Sequence, residues 1–82
     1  MKKPTSQPYL NRIGANIRDA RLKAGLSQAQ LSAKLELIPV YICRGFLSRI
    51  ENGSRVLTDI EIEAIARVLQ VTPNDLFRWD EP

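Results

Sequence analysis

Along the chain, apolar residues recur at intervals of three and four, with polar residues between them. Leu10, Ile13, Ile17, Ala20 and Ala24 form the first stripe and predict a helix from about Leu10 to Ala24. Gly25 follows, where a glycine closes a helix. Arg21 falls beside the stripe rather than opposite it, so it needs a carboxylate partner. A second helix starts at Ser27. Ser27-x-x-Gln30 fits a capping box, and Leu31 and Leu35 supply the apolar side. This helix is expected to end by about Leu37 or Ile38, because Pro39 disfavours helical geometry at the residue before it. Gln28, in its first turn, is expected to be exposed beside unpaired backbone N–H groups. It is placed either to hold a phosphate or simply to face solvent.

Glu36 to Ile42 read as a connection rich in apolar residues: Leu37, Ile38, Val40 and Ile42. These are expected to fold back under the helices rather than form an exposed patch. The third helix covers about residues 44–52. Leu47 and Ile50 share one face, Arg44, Ser48 and Arg49 point away from it, and Asn52-Gly53 supplies the stop. Such a helix suits insertion into a DNA groove, or it is an ordinary amphipathic surface helix. Cys43 stands at its cap, where serine would serve better, and is read as a small buried residue. Gly45 lies in the first turn, unless the helix begins after it. Thr58-x-x-Glu61 opens a fourth helix, striped by Ile62, Ile65, Ala66 and Leu69. Thr72, Pro73 and Asp75 open a short fifth helix, with Leu76 and Phe77 able to pack on the core. Trp79 either caps the core or meets a second subunit. The pattern is all-α with five helices. It contains no internal repeat, useful strand alternation or glycine-rich phosphate loop.

Composition narrows the function classes. Eighty-two residues make one small domain with one modest core. The expected organisation is a flexible arm over 1–8, a domain over 9–79 and a tail over 80–82. No apolar run approaches the length of a membrane span, and the basic Met1-Lys2-Lys3-Pro4 start lacks the apolar stretch of a signal peptide. The single cysteine points to a reducing, cytoplasmic setting. With no histidine and one cysteine, neither a metal site, a cofactor nor nucleophilic catalysis is expected, and the chain reads as a non-enzyme. The net charge of +3 conceals an asymmetry. Residues 1–55 hold ten Lys/Arg against Asp19, Glu36 and Glu51, a net of +7; residues 56–82 hold two against six acids, a net of −4. This polarity fits one basic face for a polyanion.

Several motifs in order resemble the phage-repressor type of helix-turn-helix domain, the Xre/Cro-like family. They are Ile13-Gly14-x-x-Ile17-Arg18, Gly25-Leu26-Ser27-Gln28-x-x-Leu31, Leu47-Ser48-Arg49-Ile50-Glu51-Asn52-Gly53, and Ile65-Ala66-x-x-Leu69-x-Val71 followed by Leu76-Phe77. The likeness covers about residues 9–78. It implies a five-helix lambda-repressor-like domain whose third helix enters the major groove while the second crosses the backbone. It also implies base reading by Arg44, Gly45, Phe46 and Arg49, with Ser48 at the edge of the set. By the same likeness Gln28, Asn52, Ser54 and Arg55 hold phosphate, and Arg21 and Glu51 form a structural ion pair. An arginine can give two hydrogen bonds to guanine. Phe46 can press on a thymine methyl or pack on the long turn. The departures lie in that turn. It is about five residues longer than the usual helix-turn-helix connection of three or four. It also lacks the family's glycine and has Cys43 for the usual Ser or Thr cap.

These readings imply a sequence-specific double-stranded-DNA-binding transcriptional regulator, a repressor, in the cytoplasm and nucleoid-associated. It would act as a homodimer on an inverted repeat, because one such domain makes too few contacts for high specificity. The alternative is a protein-interaction module, an antitoxin-like or adaptor partner docking through the apolar turn or Trp79. No ligand-sensing domain is expected in these residues.

Overall fold

The computed structural model describes residues 9–38 and 40–78. The expected arm, Pro39, Trp79 and the tail lie outside them. Asn11 sets where the chain first becomes helical. Its Oδ1 accepts hydrogen bonds from the N–H groups of Ile13 (3.2 Å) and Gly14 (2.7 Å). An asparagine that takes backbone N–H groups in this way competes with the helix, and α1 therefore spans Gly14–Lys23 rather than beginning at Leu10. Leu10 is exposed, and its N–H donates to the Gly53 carbonyl at 2.8 Å. Four further helices follow: α2 Gln28–Leu35, α3 Arg44–Glu51, α4 Asp59–Leu69 and α5 Pro73–Leu76. No strand occurs among the described residues.

Local chemistry accounts for most boundaries. Ser27/Gln30, Thr58/Glu61 and Thr72/Asp75 each form a complete capping box, with side chain and backbone bonds in both directions. Three helices close the same way. After α1, Gly25 N–H donates to the Leu22 carbonyl and Leu26 N–H to that of Arg21; after α3, Gly53 and Ser54 do so to Ile50 and Arg49; after α4, Gln70 and Val71 to Arg67 and Ala66. This closure needs a left-handed residue. Gly25 and Gly53 supply it at φ +75 and +81, and Gln70 supplies it at φ 60 with a side chain in place.

The core is built from all five helices. α1 packs on α3, α4 and α5, and α2 packs on α3 and α4. Ile13, Ile17, Leu31, Leu35, Leu47, Ile50, Ile65 and Leu76 are fully buried. Each contributes about 1.5–3 kcal/mol relative to exposure. Phe77, expected in this core, is instead exposed at 46%. Leu76 is the buried residue of α5, and Phe77 serves as the backbone cap of that short helix. Asn16 fastens the segment around the end of α5 by donating to the carbonyls of Leu76 (2.8 Å) and Arg78. Among the described residues no helix is long and apolar enough to cross a membrane.

Candidate nucleic-acid interface

The connection between α2 and α3 positions the candidate reading helix. α2 ends at Leu35, slightly before the expected end, and the chain turns over Glu36–Ile38. Ile42 is buried, and Ile38 and Val40 pack against the core, so most of the apolar connection folds back. Leu37 does not: it is 87% exposed. The buried Ser32 Oγ donates to the Ile42 carbonyl at 3.0 Å, which ties the end of the connection to α2. Cys43 then adopts extended cap geometry without a side-chain capping bond, and Gly45 is helical. A Cβ at Gly45 would meet only the Cys43 sulfur, at 4.0 Å.

Cys43 is half-exposed rather than buried as expected, because it caps the helix at the surface. Its thiol is held below the ordinary range, first by the polarity of the nearby Phe46 N–H, which stops short of a capping bond. Burial opposes this, while the Gly45 N–H and the Tyr41 hydroxyl add to it.

α3 buries Leu47, Ile50 and Glu51 and exposes Arg44, Gly45 and Arg49; Ser48 is half-buried beside them. Among the described residues Arg44 and Arg49 enter no salt bridge. Phe46 is turned aside. Its ring meets Tyr41 edge to face, with centroids 6.0 Å apart and planes at 85°. The Arg55 guanidinium lies 4.5 Å from its centroid. Of the two roles open to Phe46 in the sequence, the geometry is that of packing against the long connection.

The residues expected at phosphates are already engaged with protein. Gln28 is half-buried rather than exposed, because its amide donates to Glu51 Oε1 at 3.0 Å. Asn52 is exposed and its Oδ1 accepts from Ser54 N–H at 3.1 Å, shaping the loop after α3. Arg55 makes a two-point pair with Glu61, 3.2 Å at each oxygen, and also donates to the Val56 carbonyl. Burial pushes the Glu61 carboxyl up, but the Arg55 bond and the Thr58 capping bonds outweigh it and hold the carboxyl below its ordinary value.

Beneath this surface lies a buried anchor. Arg21 Nε donates to Glu51 Oε2 at 2.7 Å, its Nη2 to Oε1 at 3.0 Å, and its Nη1 to the Leu26 carbonyl at 2.7 Å. The Glu51 hydrogen bond raises the Arg21 pKa further, against the effect of burial. One cluster thus joins the end of α1, the start of α2 and the end of α3. Asn11 adds a second brace, which sequence reasoning missed. Its Nδ2 donates to the carbonyls of Ile50 (3.1 Å) and Arg55 (2.8 Å). Gly14 lies so close that an added Cβ would overlap the Ile50 carbonyl oxygen. No local pattern around Asn11 signals these distant partners.

A helix-turn-helix family model matches residues 17–76. The chain belongs to the helix-turn-helix family of the phage-repressor type. Two solved structures share the fold. One is the restriction-modification controller protein C.AhdI from Aeromonas hydrophila: 28% identity, TM-score 0.70, covering 79% of this chain and 87% of that one. The other is the clp gene regulator ClgR from Corynebacterium glutamicum: 20% identity, TM-score 0.70, covering 79% of this chain. The present chain spans 64% of the ClgR chain. No curated protein matches it in sequence. Family and fold are those of DNA-binding transcription regulators. In helix-turn-helix terms α2 and α3 are the paired helices, and the connection between them is unusually long.

Proposed function

We propose that this chain binds double-stranded DNA sequence-specifically as a transcriptional repressor, with α3 in the major groove and α2 across the backbone. Arg44 and Arg49 read bases, and Gly45 and Ser48 allow close approach. Asn52 and Ser54 follow the backbone, while Gln28 and Arg55 reach phosphate only by exchanging the carboxylates they now hold. Phe46 supports the helix from the side. The observation that carries this reading is the division of α3, with Leu47, Ile50 and Glu51 inward and the two arginines outward with no ion pair among the described residues. The protein acts in the cytoplasm, associated with the nucleoid, as a homodimer on an inverted repeat. Two copies double the bases read and meet the specificity a single module lacks.

The test is Arg44→Ala and Arg49→Ala, singly and together, in a binding titration. Each arginine removed weakens binding by about 1–3 kcal/mol and relaxes preference at one base pair. Unchanged affinity and preference in the double variant would show that α3 does not read the groove.

A further inference from the structure

We propose that Tyr41, in the connection between α2 and α3, donates its hydroxyl to a DNA phosphate flanking the base pairs under α3. The elongated connection is then a DNA-contacting element in its own right. The inference rests on α3 reading the major groove and adds a contact that α3 itself does not supply.

The backbone fixes the direction of the side chain. Residues 40–43 run without helical structure, with Val40 and Ile42 against the core. Tyr41, between these two inward residues, points outward and is 73% exposed. The Ser32 bond to the Ile42 carbonyl holds that register.

The ring is also held. It stands edge to face on Phe46, a residue of α3. A positioned aromatic with a polar tip loses little freedom on binding. Tyr41 sits three residues ahead of Arg44, and its ring rests on Phe46 in the first turn of α3. That places the hydroxyl by the N-terminal end of α3, the end that approaches DNA in this class of domain. Tyrosine hydroxyls are among the groups that fix register on phosphates.

The test uses the full chain and a duplex that it enriches from a random pool, with Tyr41→Phe and Tyr41→Ala compared with wild type at several salt concentrations. Tyr41→Phe weakens binding about tenfold. The loss is equal on different sequences, and the slope of log affinity against log salt is unchanged because no charge has been removed. Replacing phosphates singly by neutral methylphosphonates locates the contact: at one flanking position the wild type loses affinity and Tyr41→Phe loses no more. Thermal melts by circular dichroism establish that the variants are folded. If folded Tyr41→Phe and Tyr41→Ala bind as the wild type does, the Tyr41 contact is overturned while the reading by α3 stands. A Tyr41→Phe loss that varies with one base pair overturns the phosphate assignment in favour of base reading. If the wild type enriches no duplex, the reading by α3 fails and the Tyr41 contact falls with it.

Discussion

Replacing Glu51 by alanine removes the carboxylate at the junction of α1, α2 and α3. Three hydrogen bonds end on it, two from Arg21 and one from Gln28. The side chains of the ion pair are 8% and 3% exposed, so water cannot replace the lost partner. Arg21 would keep only the Leu26 carbonyl. Breaking a buried pair by deleting one member costs about 3–5 kcal/mol, most of it from the charge left behind. A domain of this size has about 4–12 kcal/mol of total stability, so the variant loses a large part of it. The midpoint of thermal unfolding should fall by at least about 12 °C, at about 4–8 °C per kcal/mol for a domain this small. Urea titration followed by circular dichroism measures the loss directly. The companion is Arg21→Met with Glu51→Leu, which removes both charges and fills the space with apolar atoms. It should be markedly more stable than Glu51→Ala. A Glu51→Ala loss below about 1 kcal/mol, the scale of an exposed pair, would refute the idea that this cluster anchors α3.

Two further outcomes follow from the closures and caps. Gln70→Gly should raise stability by up to about 1 kcal/mol, the relief of left-handed strain exceeding the added freedom of the unfolded chain, as read by the urea midpoint. Glu61 has its pKa depressed on folding, so its contribution is present above the unfolded value of about 4.3 and is lost as pH falls through the lower folded value. Across that window the stability advantage of wild type over Glu61→Gln should therefore shrink, as measured by melts at successive pH values.

The sequence carried the local half of this structure well. Ser27/Gln30, Thr58/Glu61 and Thr72/Asp75 lie three residues apart, and the same pairs form the capping boxes. Gly25 and Asn52-Gly53 likewise mark closures made within one turn. Gln70 gave no such signal, because its left-handed conformation is imposed by the chain around it rather than favoured by its side chain. α1 starts later than the apolar period alone predicts: Leu10 fits that period, whereas Asn11 decides the start through bonds with Ile13 and Gly14 and with distant Ile50 and Arg55.

At the candidate site the outward and inward faces of α3 followed from periodicity. The engagements of Gln28 with Glu51, of Arg55 with Glu61 and of Phe46 with Tyr41 did not. These contacts depend on how the elongated connection and α4 meet α3, and no spacing rule encodes them. Arg21 was the intermediate case. Its position beside the apolar stripe required a carboxylate, but the geometry of the cluster, including Gln28 and the Leu26 carbonyl, came only with the fold.

Selection of bound duplexes from a random pool by the wild-type chain, at about 0.15 M salt where non-specific phosphate binding is weakened, shows whether the protein reads DNA sequence. A dimeric reader enriches an inverted repeat whose half-sites lie about one helical turn apart. A pool that stays random after repeated rounds would contradict sequence-specific binding.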